Sequence, residues 1–218
     1  MRYLILSSLL FVMMGCGSVY KELLAEPRGP AVPGGQTASG NINSLQQFKP
    51  AFTVALYNTS VDVMGNHLSG LLLIKRMPDS TIRMVFSNEI GFKFFDFEFS
   101  PTGDFKVYAV IQKMNRKSVL KTLRKDFELV LMQGLDNATA QIRKDSSGLL
   151  YHIYKQTKGY NCYITNAGET ELVRMERASG TKVVATTIMK NYINGIPDTI
   201  GVTHHNFNFT IGLKRIER

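Results

Sequence analysis

The sequence predicts a mainly β protein, in which a strongly curved antiparallel sheet of about eleven strands is capped on its concave face by one α-helix. Short runs of alternating apolar and polar residues recur from residue 45 onward, separated by Gly, Asn, Asp and Ser clusters. One segment with helical periodicity interrupts them. Because the strands do not alternate with crossover helices, we expect antiparallel pairing. Sheets of this size tend to curl, and the amphipathic helix needs an apolar surface to cover.

Residues 1–15 are predicted to be a lipoprotein signal peptide. Arg2 precedes the apolar run Leu4–Met14, which is too short to span a membrane but has the length of a secretory segment. The run ends in Met13-Met14-Gly15-Cys16, which resembles a bacterial lipobox with Met13 in place of the usual leucine. This resemblance implies that the mature chain begins at Cys16, acylated by diacylglycerol and an N-acyl chain. The alternative is an ordinary signal peptide followed by a chance cysteine.

Residues 16–44 are predicted to be a flexible tether, because three prolines and four glycines fall between Pro27 and Gly40. The only other cysteine, Cys162, lies in a strand-like run and has no partner if Cys16 is acylated. We therefore expect it to be a small buried apolar residue. Removing residues 1–15 lowers the formal net charge from +9 to +8, which favours anionic head groups as partners of an exported protein.

The central element is a β-hairpin between Thr81 and Phe99. Ile82, Met84 and Phe86 alternate with polar or smaller residues, and Ser87–Gly91 has the composition of a turn. The return strand carries Phe95, Phe97 and Phe99 on one face. Six of the thirteen phenylalanines fall between Phe86 and Phe99, so this face requires a large apolar partner. That partner is either a packed core or a bound apolar ligand.

The elements around the hairpin follow from the same patterns. Two strands precede it, near Phe52–Tyr57 and Ser69–Arg76, and one follows it, at Phe105–Val110. A helix is predicted next, with Ser118 as its N-cap and Gly134 just beyond its end. Its apolar face comprises Val119, Leu120, Leu123, Phe127, Val130 and Leu131. Six further strands are predicted at residues 149–156, 160–165, 169–178, 182–190, 199–205 and 208–214.

This pattern resembles the superfamily of LolA-like lipoprotein carriers and LolB-like outer-membrane lipoprotein receptors. The most specific element is Ser87-Asn88-Glu89-Ile90-Gly91, which resembles a LolB-like turn except that Glu89 replaces a proline. The resemblance implies an incomplete antiparallel β-barrel over residues 45–218, with an apolar cavity for acyl chains. It also implies that Ile90 protrudes and contacts the membrane. The alternative is that Ile90 folds back into the core.

Nine residues are predicted to line the apolar ligand cavity, although the same side chains could simply form a packed core beneath the helix. They are Leu71, Leu73, Met84, Phe86, Phe95, Phe97, Phe99, Leu123 and Phe127. A basic cluster on and before the helix could attract anionic head groups or could be a solvated helix face. It comprises Lys113, Arg116, Lys117, Lys121, Arg124 and Lys125.

Catalytic signals are weak in this sequence. His204 and His205 are adjacent and would point to opposite faces of a strand, so they cannot jointly bind a metal. Asp96 and Glu98 share a strand face, and we expect this face to be the solvent side opposite Phe95 and Phe97. No metalloprotease, Cys-x-x-Cys or nucleophile-elbow spacing occurs. We therefore expect no enzyme, cofactor or metal site.

The sequence thus predicts a monomeric lipoprotein of the bacterial outer membrane, held by acylated Cys16, that binds acyl chains or another apolar ligand. It would receive or insert lipoproteins and would not bind nucleic acid. The alternative is a structural lipoprotein with a filled core that binds other envelope proteins.

We expect Cys16→Ser to abolish lipid anchoring, because the serine hydroxyl cannot form the thioether. Mass spectrometry of the membrane and soluble fractions should show an unprocessed or soluble species without acyl mass. A variant that remained in the membrane fraction with acylated mass would contradict the lipobox interpretation.

Overall fold

One antiparallel β-sheet dominates the structure, a computed structural model that describes residues 36–37, 42–63, 65–135, 140–180 and 182–216. The predicted mainly β class with one α-helix is confirmed for these residues. The signal peptide, Cys16 and most of the predicted tether lie outside the described residues. Within the described residues, no helix is both long and apolar enough to cross a membrane.

The sheet contains a two-residue strand, β1, and twelve longer strands, compared with the eleven predicted. The additional strand of ordinary length is β7, which has a short and largely polar sequence. The strands are β1 Gln36–Thr37, β2 Val54–Val63, β3 Asn66–Arg76, β4 Ile82–Ser87, β5 Lys93–Phe99, β6 Phe105–Val110, β7 Ala140–Lys144, β8 Leu150–Lys155, β9 Tyr160–Thr165, β10 Leu172–Ser179, β11 Lys182–Ile193, β12 Ile196–His204 and β13 Phe209–Arg215.

The strand order shows how the chain builds an open, curved sheet. Strands β2 to β6 follow one another in space, and the chain then crosses to the opposite edge and returns through β7 to β13, which pairs with β2. Among the described residues, β1 and β6 form the two edges, so the sheet is not closed into a barrel. Side chains from β2–β5 and from β10–β13 nevertheless share one apolar core with the helix, as expected for an incomplete barrel.

The α-helix, α1, spans Lys117–Val130 and covers the concave face. Its predicted apolar face is confirmed, since Leu123, Phe127 and Val130 are buried in the core. The predicted N-cap is wrong: Arg116 is the N-cap in an extended conformation without a side-chain cap hydrogen bond, and Ser118 lies inside the first turn. Gly134 follows the helix with φ +80°, a conformation that favours glycine.

The pairing register decides which residues of β3 belong to the concave face. Leu72 pairs with Phe86 and Ile74 pairs with Met84, and all four side chains are buried. Directly paired residues point to the same side of a sheet, and neighbours along a strand point to opposite sides. Leu71 and Leu73 therefore lie on the convex face, opposite the phenylalanines. Their predicted place in the cavity is wrong, because four consecutive apolar residues, 71–74, conceal the alternation.

The convex face of β5 was expected to be exposed to solvent, but its two carboxylates are buried. Asp96 is 3% exposed and Glu98 is 8% exposed. The Arg83 guanidinium donates two hydrogen bonds to the Asp96 carboxylate, at 2.7 and 3.0 Å, and lies 3.9 Å from the ring centre of Tyr108. Lys106 and the Tyr108 hydroxyl donate to Glu98 at 3.2 and 3.1 Å. Long side chains from neighbouring strands thus cover both carboxylates.

The folded part of the chain begins before the boundary predicted at Leu45. A 3-10 helix spans Ile42–Phe48, and Leu45 is fully buried within it. Further upstream, Gln36 pairs with Lys144 and Thr37 pairs with Arg143. The predicted tether of residues 16–44 therefore includes one segment that pairs with the sheet and the beginning of a 3-10 helix.

We expect Phe97→Ala to destabilise the fold by about 3–5 kcal/mol, because the side chain is fully buried and its ring stacks on that of Phe95, with ring centres 4.3 Å apart. Denaturant unfolding measures this cost. Phe92→Ala is the control, since Phe92 is 56% exposed and its loss should cost no more than about 0.5 kcal/mol. Equal costs for the two variants would contradict a packed core at Phe97.

Candidate functional site

The predicted cavity residues, other than Leu71 and Leu73, come together beneath α1. Met84, Phe86, Phe95, Phe97, Phe99, Leu123 and Phe127 all belong to one buried cluster. Phe127 of the helix contacts Phe95 and Phe99 of β5, with ring centres 5.7 and 6.2 Å apart. Each of the seven side chains is at most 3% exposed, so the apolar face is filled by the helix in this structure.

A buried polar cluster joins α1 to the far side of the sheet. Asp126 lies on the apolar face of the helix and is 1% exposed. Its carboxylate accepts one hydrogen bond from Nη1 of Arg177 on β10 and pairs with Nε2 of His204 on β12, both at 2.9 Å. The other ring nitrogen of His204, Nδ1, is buried without a hydrogen-bond partner. We call these three residues the helix anchor.

The helix anchor was not predicted from the sequence. Asp126 had a local signal, because it lies three residues after Leu123 and four before Val130, on the apolar stripe of the helix. A carboxylate in this position has to be paired when buried. Arg177 and His204 had no such signal, since they follow Asp126 by 51 and 78 residues. His205 does not join the cluster and pairs with Thr186 at 2.8 Å.

The β4–β5 turn holds Ile90 away from the core. The Asn88 side-chain carbonyl accepts the Phe92 N–H at 2.8 Å, and its backbone carbonyl accepts the Gly91 N–H at 3.0 Å. Gly91 has φ +84°, a conformation that glycine adopts without strain. Ile90 is 90% exposed and Phe92 is 56% exposed. The alternative that Ile90 folds back into the core is therefore wrong, and its membrane contact stays a prediction.

The turn is positioned by a close approach to β3. A Cβ atom on Gly70 would lie 2.1 Å from the backbone oxygen of Ser87, so this position accommodates only glycine without a backbone shift. The β2–β3 and β12–β13 turns lie at the same end of the sheet. The β12–β13 turn also carries an exposed aromatic side chain, Phe207.

Leu71 and Leu73 line a groove on the convex face instead of the predicted cavity. The groove has a volume of about 650 Å³ and is also lined by Val54, Leu56 and Val85. Its end at Ser87 adjoins the turn that carries Ile90.

The predicted basic cluster divides into two parts. Lys121, Arg124 and Lys125 line a pocket of about 490 Å³ at the side of α1, together with Lys158 and Arg177. Lys113, Arg116 and Lys117 are exposed and lie outside this pocket. We call the first set, with its surroundings, the basic pocket.

Asp96, His152 and Cys162 are all buried side chains. The Arg83 hydrogen bond holds the pKa of Asp96 below its ordinary value, so this residue stays ionised. Burial lowers the pKa of His152, which is fully buried on β8. Among the described residues, no group of three or more His, Cys, Asp or Glu side chains is arranged to hold a metal ion. Cys162 is fully buried.

Two solved structures are similar to this chain in fold. An outer membrane lipoprotein-sorting protein domain from Vibrio parahaemolyticus is 10% identical, with a TM-score of 0.44, over 81% of this chain and 90% of that domain. A DUF1329 family protein from Desulfovibrio piger is 11% identical, with a TM-score of 0.46, over 91% of this chain and 90% of that protein.

No family model matches the sequence, and no curated protein sequence matches it.

We expect Ile90→Glu to leave folding intact, because the side chain is already in solvent, and to weaken liposome association of the Cys16→Ser chain. Partial insertion of one isoleucine contributes up to about 1.5–3 kcal/mol of membrane affinity. Vesicle co-sedimentation measures the loss.

Ile193→Glu is the matched control for this substitution. Ile193 is 42% exposed and lies at the end of β11, at the opposite end of the sheet. Equal loss of vesicle binding in the two variants would contradict a specific membrane contact at Ile90, as would unfolding of the Ile90→Glu chain.

Proposed function

We propose that this chain is a bacterial outer-membrane lipoprotein, anchored through Cys16, that binds acyl chains between α1 and the concave face of its sheet. It receives or inserts lipoproteins and acts by binding, not by catalysis. The single observation that carries this proposal is the aromatic concave face, which is covered by one short amphipathic helix.

The chemistry of this interface allows the helix to be exchanged for a ligand. Leu123 and Phe127 of α1 present apolar carbon to Phe95 and Phe99, and an acyl chain would present the same kind of surface. Because the hydrophobic effect is non-directional, replacing the helix by acyl chains preserves most of the apolar burial of the sheet. Movement of α1 therefore changes the covering group without exposing the phenylalanines to water.

The helix anchor sets the cost of this movement. Asp126 is held by Arg177 and His204 in a buried cluster, and separation requires each group to regain hydrogen bonds from water. This polar contact keeps α1 in place when no ligand is present. The Ile90 turn, at one end of the sheet, would orient the domain toward the membrane that supplies the ligand.

A binding role is supported by the hydrogen bonds of the two buried carboxylates that could otherwise act in catalysis. Asp96 is bonded to Arg83 and Lys93, and Glu98 is bonded to Lys106 and Tyr108. Both carboxylates lie on the convex face, away from the aromatic core.

A second candidate function is favoured by the complete burial of Phe97 and Met84, both 0% exposed. In this case the core beneath α1 is permanent, and the chain is a structural lipoprotein that binds another envelope protein through its outer surface.

We expect Asp126→Asn to increase palmitate uptake by the full chain, because the variant loses the charge that holds α1 to Arg177 and His204. Native mass spectrometry detects bound palmitate, and denaturant unfolding measures stability, which should fall by about 1–3 kcal/mol.

Asp96→Asn is the matched control, since it removes a buried, ion-paired carboxylate from the convex face. It should lose comparable stability and leave palmitate uptake unchanged. The acyl-binding proposal fails if neither the natural chain nor Asp126→Asn binds palmitate, and the second candidate function is then favoured. Equal uptake by both variants would show that destabilisation alone admits the ligand, and would also contradict the proposal.

A further inference from the structure

The basic pocket lies beside α1, on the side away from the aromatic core. Three segments enclose it: the β5–β6 turn at Pro101–Gly103, one face of α1, and the β8–β9 turn at Gln156–Lys158. Its volume of about 490 Å³ is within the range of small-molecule sites, roughly 300–1,000 Å³. Segments distant in the sequence thus form a concave site that the helix sequence alone could not define.

Five cationic side chains line the pocket and one carboxylate, Glu128, accompanies them. Glu128 accepts a hydrogen bond from Nε of Arg124 at 2.6 Å, and Arg177 is paired with Asp126. The structure shows no carboxylate within ion-pair distance of Lys121, Lys125 or Lys158 among the described residues. Three lysines therefore bring uncompensated positive charge to one concavity.

Lys125, which lines the pocket, lies in surroundings that disfavour its positive charge. Burial, with additional repulsion from Arg177 and Lys121, lowers the pKa of Lys125. An anion in the pocket would relieve this repulsion. Thr157 and Asn161 add neutral polar groups to the lining.

The number and type of these groups indicate the ligand. Lysine ammonium groups bind phosphate as point charges with three donors each. A monoanion would leave two of the three lysines uncompensated, whereas a phosphate with two or more negative charges can satisfy them together. We propose that the basic pocket binds a multiply charged phosphate group, either free or in a lipid head group.

This site is separate from the acyl site of the proposed function, and neither requires the other. The helix anchor connects them structurally, because Arg177 contributes to the pocket wall while its guanidinium holds Asp126.

The test uses the full chain and inorganic pyrophosphate in isothermal titration calorimetry. The variant Lys125→Gln/Lys158→Gln removes two pocket charges, and Lys113→Gln/Lys117→Gln removes two charges from exposed positions outside it. We expect the pocket variant to bind about 25-fold more weakly, since each lost lysine contributes about fivefold. The control should bind within about twofold of the natural chain. Circular dichroism confirms that both variants fold.

A second arm identifies the source of the phosphate. The natural chain, the pocket variant and the control variant are each sedimented with phosphatidylcholine vesicles, with and without phosphatidic acid. Binding that depends on phosphatidic acid, is lost in the pocket variant and is displaced by pyrophosphate supports a lipid head group. Pyrophosphate binding without this vesicle dependence supports a free phosphate ligand.

The proposal is overturned if the natural chain shows no saturable binding in either arm. It is also overturned if the control loses as much affinity as the pocket variant, because binding would then follow net charge alone. Palmitate carries no phosphate, so neither result decides the acyl-binding proposal.

Discussion

The structure depends on covering the aromatic face of an open sheet. A closed barrel would bury this face within itself, but β1 and β6 are the edges of the described sheet, so another element has to fill the concave side. Helix α1 does so with Leu123 and Phe127 against Phe95 and Phe99. The helix lies between β6 and β7 in the chain, so it links one edge of the sheet to the strand beside the other edge.

The same helix carries a buried carboxylate, which makes its attachment different from ordinary core packing. Apolar contacts tolerate sliding, whereas Asp126 requires Arg177 and His204 at hydrogen-bonding distance. The helix anchor therefore fixes the position of α1. The proposed exchange of α1 for acyl chains requires this polar contact to break.

The two faces of the helix give the molecule two chemically different surfaces. One faces phenylalanines and is dry, while the other carries Lys121 and Lys125 toward the basic pocket. Displacement of α1 would alter both surfaces together, since Asp126 and Lys125 are adjacent in the helix and Arg177 contacts the first and lines the second site.

The sequence by itself left open whether Ile90 protrudes, but it determined the mainly β class, the central hairpin with its turn, and the helix. Each depends on local periodicity or turn chemistry, which operates within a few residues. It could not assign residues 71–74 to the two faces of the sheet, because a run of four apolar residues has no alternation. Only the pairing with Phe86 and Met84 shows that Leu72 and Ile74 lie on the concave face. It also left β7 undetected and placed Asp96 in solvent. The tertiary structure alone decided the helix anchor and the basic pocket, because both join residues from separate strands and turns by contacts whose partners no local pattern specifies.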